Sequence, residues 1–95
     1  MFFDLQNFGM RVQEARMRKG LTQMALAAIL DVNPQYISRI ERGVNACSLG
    51  FLSALAHALD VSTDYLLTGK QTELDTVRKQ LTLVLKQLSS VVENM

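Results

Sequence analysis

A glutamine and an arginine four residues apart, Gln35 and Arg39, lie in a stretch bracketed by helix-start and helix-stop residues. On a helix that spacing puts both side chains on one face. Both types match base edges bidentately, the amide to adenine and the guanidinium to guanine. Ser38 shares that side and can donate or accept, while Tyr36 flanks it with a hydroxyl that can reach a phosphate and a ring that can stack on a sugar. Ile37 and Ile40 fall on the opposite side, as a core-facing stripe should. Arg42 and Asn45 follow, and Ser48 opens the next element; all three are phosphate candidates, because a helix N-terminus offers free N–H groups to anions. The same residues also suit an ordinary solvated helix face and a soluble loop, so their meaning depends on the elements that hold them.

Those elements are punctuated by residue type. Thr22 is a good N-cap for an apolar run with Leu26, Ala27 and Leu30 on one side, and Asp31-Val32-Asn33 is a short polar break. Asn33 can cap the next helix, Pro34 falls at its first position, where the missing N–H costs nothing, and Gly43 supplies a left-handed stop. Two short helices, residues 23–30 and 34–42, joined by a tight turn form the helix-turn-helix plan, whose second helix enters the major groove. Before them, a helix over residues 5–19 turns Phe8, Val12 and Ala15 inward and ends at Gly20. After the loop 43–47, Ser48 caps a helix with Leu52, Leu55, Ala56 and Leu59 at spacings of three and four, ending around Asp60. Ser62 caps a last short helix, with Asp64 near its positive end and Leu66 and Leu67 closing the core before Gly69.

The wording of the chain resembles the phage repressor and Cro-type regulators, the xenobiotic-response-element family of helix-turn-helix proteins. The resemblance runs from Phe8-Gly9 through RKGLTQ (residues 18–23), DVNPQYISRIERG (31–43) and LDVSTDYLLTG (59–69), about three quarters of the chain. It implies an all-α, five-helix domain that binds operator DNA as a dimer. By the same resemblance Asn33, Pro34, Gln35, Ser38 and Arg39 match the base-facing positions, and Gln23 matches the phosphate-binding glutamine at the start of the second helix. Pro34 stands where relatives often carry a polar base reader, so that contact is expected to be absent or reduced to a van der Waals touch. Arg16 and Glu41 match a salt bridge tying the first helix to the end of the third, so both are read as scaffold.

Ninety-five residues with 48% apolar content and one proline suit one small helical domain, near the lower size at which a single core suffices. The net charge of +1 conceals a mild asymmetry: residues 1–45 hold six basic side chains against four acids, and residues 46–95 hold four against five. A basic face is thus allowed, and binding must rest on a few placed contacts. One cysteine and no signal-type or long apolar segment lead us to expect a cytoplasmic chain of bacterial or phage origin, free of the membrane. His57 has no second ligand at metal spacing, Cys47 stands where the family often has proline, and no Ser/His/Asp, Cys/His or paired-carboxylate set is present. No metal, no cofactor and no enzymatic activity are expected.

Two features go beyond the family pattern. Met24, Ala25, Ala28 and Ile29 make the second helix apolar nearly all round, so it invites a cover from Phe2-Phe3, the C-terminal segment or another subunit, unless these are merely scattered surface apolars. Residues 71–95 lack glycine and proline and repeat every seven: Leu74, Leu81 and Leu88 form a spine, with Val77, Val84 and Val91 on one side and Leu85 and Val92 on the other. The stripe is wider than a two-stranded seam needs, because two heptad registers fit it equally well. The division expected is a reading head, 1–69, and an amphipathic dimerisation helix, 70–95, that packs both on a partner chain and on its own domain or joins a small intermolecular bundle; a helix folded back on its own domain with no partner is the alternative. The expected function is a sequence-specific regulator, a repressor acting as a homodimer on a two-fold symmetric site in double-stranded DNA. An anti-repressor protein competing for the C-terminal helix is one route to its regulation. The alternative class is a protein-interaction module, such as an antitoxin or an assembly subunit.

Overall fold

Each of the first five helices begins on a side-chain oxygen that accepts from the backbone of its own first turn. In the computed structural model, which describes residues 3–70, 77 and 80–88, α1 (Leu5–Arg18) starts at Asp4, whose carboxylate accepts from the N–H groups of Gln6 and Asn7. α2 (Gln23–Leu30) is capped by Thr22, α3 (Pro34–Glu41) by Asn33, α4 (Leu49–Leu59) by Ser48 and α5 (Thr63–Thr68) by Ser62. Each cap satisfies N–H groups that a helix end otherwise leaves to water and contributes about 1 kcal/mol. No strand occurs among the described residues.

The first four helices also end alike. After α1 and α3 the left-handed residue is glycine, Gly20 and Gly43; after α2 and α4 it is aspartate, with Asp31 and Asp60 both at φ 56°. In each case the next residue is apolar, and its N–H reaches back to a carbonyl five residues earlier: Leu21 to Arg16, Val32 to Ala27, Val44 to Arg39 and Val61 to Ala56. This is the Schellman closure. Aspartate tolerates the left-handed region better than most side-chain-bearing residues. The polar break after α2 thus carries its stop at Asp31 and its next start at Asn33, only two residues apart, and this sets the tight turn between α2 and α3.

Helices of such length are marginal alone, and their apolar stripes meet in one core. Phe8 and Val12 of α1, Leu26 of α2, Ile37 and Ile40 of α3, Leu55 of α4 and Leu66 of α5 are essentially sealed from solvent. α1 approaches α3 most closely at Gly9. A Cβ there would lie 2.3 Å from the Ile40 carbonyl oxygen and 2.5 Å from that of Glu41, so only glycine permits the crossing.

The apolar surface of α2 stays open. Met24 is 70% and Ile29 58% exposed. Phe3 packs instead on Phe8, ring centroids 5.7 Å apart, and lines a hollow with Leu5, Leu49 and Leu67. Phe3 is therefore not the cover for α2, one of the candidates for that role; Phe2 lies outside the described residues. Beyond α5, residues 80–88 are helical, and Leu81, Val84, Leu85 and Leu88 are exposed there, as is Val77. Leu74, Val91 and Val92 of the expected stripe lie outside the described residues. No described helix is long and apolar enough to cross a membrane.

The Gly9 contact predicts a sharp contrast between two glycines. Gly9→Ala must push α1 off the α3 backbone and should cost about 3 kcal/mol or more. Gly50→Ala, in α4 with nothing within 4 Å of its would-be Cβ, should change stability by less than about 1 kcal/mol. Denaturant midpoints of the two variants measure both.

Candidate nucleic-acid interface

α3 separates its side chains cleanly. Ile37, Ile40 and Glu41 are buried, while Pro34, Gln35 and Arg39 are exposed together with Asn33 before them and Arg42 after them. Gln35 and Arg39 therefore stand on one solvent-facing surface, with the half-buried Ser38 at its margin. The side-chain oxygen of Asn33 accepts from the Gln35 N–H at 2.9 Å. That carbonyl is thus engaged in capping, and the amide nitrogen is the part of Asn33 left to donate outward.

The rotation of α3 about its own axis decides which side chains face out, and it is set by a charged pair. Arg16 of α1 donates from Nε to Oε2 of Glu41 at 2.7 Å and from Nη2 to Oε1 at 3.1 Å. Its Nη1 donates to the Leu21 carbonyl at 2.7 Å. The side chains are 11% and 3% exposed. Gln23, at the start of α2, donates from Nε2 to the same Oε1 at 3.0 Å. One carboxylate at the end of α3 is thereby held by α1 and α2 together. Withdrawing such charges from water is tolerable only when the remaining donors and acceptors are satisfied, and among the described residues no buried side-chain nitrogen or oxygen lacks a partner.

Gln23 is the position where structure adds most to the sequence reading. Read as a phosphate contact, it also belongs to the scaffold around Glu41. Tyr36 has a similar double character: its ring packs on Phe51 of α4, centroids 5.1 Å apart, and is half-buried. Burial, reinforced by the neighbouring Cys47, holds its phenol above the ordinary range, so it is a neutral donor at physiological pH. Ser48 accepts from the Phe51 N–H at 3.1 Å and keeps its own proton for donation. Asn45 is half-buried and Arg42 exposed, both at the exit from α3.

Two arginines counted towards a basic face are engaged elsewhere. Arg11 donates to the Leu66 and Leu67 carbonyls at 2.8 and 3.0 Å, closing the end of α5. Arg18 donates to the Tyr65 hydroxyl at 2.9 Å and stands 5.5 Å from the centre of its ring. With Arg16 they tie α1 to its neighbours, and the cation supply left to the candidate interface on α3 is smaller than composition suggests. These partners lie 47 to 56 residues away along the chain for Arg11 and Arg18, and no local pattern announces them.

The remaining candidates are chemically quiet. His57 is exposed on α4. Cys47 lines the hollow with Phe3 and Leu52, where burial pushes its thiol up and away from the reactive thiolate. Among the described residues no group of three His, Cys, Asp or Glu side chains is arranged to hold a metal ion.

A family model for helix-turn-helix proteins matches residues 12–66. An uncharacterised HTH-type transcriptional regulator of Rickettsia prowazekii is 36% identical over 61 residues, which make up 64% of this chain and 47% of that protein. The chain spans about half the length of the Rickettsia relatives it matches. Among solved structures, the restriction-modification controller protein C.AhdI from Aeromonas hydrophila is similar with a TM-score of 0.64 and 39% identity, over 67% of this chain and 97% of that one. The P22 c2 repressor, solved in complex with a synthetic operator, is similar with a TM-score of 0.65 and 35% identity, over 68% and 98%.

Removing one side of the buried pair should be far worse than removing an exposed charge. Glu41→Ala leaves Arg16 buried without its counter-ion and should cost roughly 3–5 kcal/mol, whereas Arg42→Ala should cost less than about 0.5 kcal/mol. Gln23→Ala, losing one hydrogen bond to the carboxylate, should fall between, at about 1.5–3 kcal/mol. Thermal and urea unfolding rank the three; equal midpoints for Glu41→Ala and Arg42→Ala would remove the pair from the scaffold.

Proposed function

The chain belongs to the helix-turn-helix family of phage repressor and Cro-type regulators, and from that premise we propose that it is a sequence-specific DNA-binding transcriptional regulator, a repressor that places α3 in the major groove. The observation that carries this reading is the outward presentation of Gln35 and Arg39 by a helix whose other side, Ile37 and Ile40, is sealed in the core. Gln35 reads adenine and Arg39 guanine, the pairings that amide and guanidinium geometry favour. Ser38 and the Asn33 amide add single contacts, and Pro34 a van der Waals touch. Arg42, Asn45, Ser48, Gln23 and the Tyr36 hydroxyl hold the phosphates and set the register without reading sequence.

One head supplies few base contacts. Two heads about 34 Å apart reach successive major-groove faces and multiply their effects, which is why we assign residues 70–95 to joining copies of the chain. The exposed apolar side chains of residues 80–88 support that assignment. Double-stranded DNA is then the partner, the site is two-fold symmetric, and the protein works in the bacterial cytoplasm. The reading involves no catalysis, metal or cofactor.

Selection of bound duplexes from random DNA tests the proposal: a two-fold symmetric motif should emerge, and a failure to enrich any motif at low salt and micromolar protein would refute it. Against the selected site, Arg39→Ala should cost roughly 1–3 kcal/mol and relax preference at one base pair of each half-site, whereas Arg42→Ala should weaken all sequences alike. With Arg11, Arg16 and Arg18 engaged in the scaffold and Arg39 on a base, Arg42 is the phosphate-holding cation of each head, which gives a log–log salt slope of about −2 for the pair. A slope as steep as about −8 would mean a basic surface outside α3 carries the binding.

A further inference from the structure

The hydrogen bonds around Glu41 close into a ring. The Arg16 fork donates to both oxygens of Glu41, and its remaining nitrogen, Nη1, donates at 2.7 Å to the carbonyl of Leu21, two residues before Gln23. Gln23 completes the circuit, its Nε2 donating to Glu41 Oε1 at 3.0 Å. The glutamine is thus held at both ends, its backbone by way of Leu21 and its amide by the carboxylate. A solvated glutamine loses rotamer freedom when it takes a ligand. This one has lost it already in the fold, so a ligand of its amide meets a donor that is in place.

A primary amide nitrogen carries two N–H groups. The carboxylate takes one, and the half-buried side chain leaves the second to an anion outside the fold. Because Arg16 matches the charge of Glu41, an approaching phosphate meets a neutral pair and not a bare carboxylate. The amide is then shared between the DNA backbone and the last residue of α3. Glu41 lies two residues after Arg39 and six after Gln35 on that one short helix. Base contacts of the bidentate kind hold only within about 0.5 Å and 10–20° of their proper geometry, and a link from the phosphate to Glu41 fixes the height and turn of α3 against the same strand.

We propose that Gln23 is a specificity-determining positioning residue: its amide joins a DNA phosphate to Glu41 and thereby seats Arg39 and Gln35 on their bases. It touches no base and acts through Glu41. The inference rests on the reading of α3 as the base-reading helix, and it gives a phosphate contact a part in choosing the sequence.

The readout is base discrimination, the ratio of affinities for the selected site and for the same site with the Arg39 base pair changed, measured at a temperature where every variant is folded. Gln23→Ala should lower affinity and also lower this ratio at least threefold. Arg42→Ala is the control, since none of the ring's hydrogen bonds involves Arg42; it should lower affinity and leave the ratio within about twofold, as independent contacts do. A second arm leaves the protein unaltered. One neutral methylphosphonate linkage is walked along the selected duplex, and the linkage whose replacement no longer matters to Gln23→Ala should be one whose replacement lowers the ratio at least threefold for the parent protein. A ratio lowered less than threefold by Gln23→Ala, an equal fall with Arg42→Ala, or the lack of any such linkage would overturn the bridge and leave α3 standing as the reading helix. A selection that enriches no motif would overturn both.

Discussion

Burying a carboxylate costs several kcal/mol unless its lone pairs are taken up by donors already in place, and Glu41 has three: the two nitrogens of the Arg16 fork and the Gln23 amide. The rest of the head is arranged around that requirement. Glu41 sits in the last turn of α3, Arg16 in the last turn of α1, and Gln23 at the first position of α2. Satisfying the carboxylate therefore fixes three helices relative to one another. A slide of α3 by one residue would turn Glu41 outward and a charged or polar reader inward, which makes the pair a device for choosing one rotation of α3 as much as a source of stability.

The close approach at Gly9 serves the same end by different physics. The Arg16 fork can span to Glu41 only if the two backbones are near, and the missing Cβ at Gly9 lets α1 lie directly on the Ile40 and Glu41 carbonyls. Hydrophobic burial is non-directional; Phe8, Val12, Ile37 and Ile40 would accept a range of crossing geometries. Steric contact at glycine and the angular demands of a bidentate pair narrow that range to one. Arg11 and Arg18 then attach α5 to the other side of α1, so α1 is the beam to which both the reading helix and the last helix are fastened.

This economy has a consequence for recognition. Cations committed to carbonyls and a phenol inside the fold cannot also neutralise phosphates, so in the proposed complex a nearly neutral chain would rely on a small number of outward groups on α3. In that proposal the affinity that one head lacks comes from number, since linked heads turn a second binding event into an intramolecular one. The exposed leucines and valines of residues 80–88 and the few exposed cations on α3 fit the proposed arrangement, in which specific heads are joined by a sequence-blind connection.

Helix starts, helix stops and the inward stripes were legible in the sequence, because each is encoded within a single turn. Thr22, Asn33, Ser48 and Ser62 cap by hydrogen bonds spanning two or three residues, and Leu52, Leu55, Ala56 and Leu59 mark their face by spacing alone. Gln35 and Arg39 could be placed on one side of α3 for the same reason. Asp31 and Asp60 were harder, since aspartate enters the left-handed region only when a following apolar residue folds back over the helix end, as Val32 and Val61 do. What the tertiary structure alone decided was the use of side chains whose partners are far away: Gln23 turned towards Glu41, Arg11 and Arg18 were drawn onto α5, Tyr36 leaned on Phe51, and Phe3 settled on Phe8 and not on α2. An arginine carries the same charge and the same fork wherever it lies in the sequence. Only the folded chain, by bringing carbonyls and carboxylates from 25 to 56 residues away within 3 Å or so, determines whether that fork holds the scaffold or faces outward.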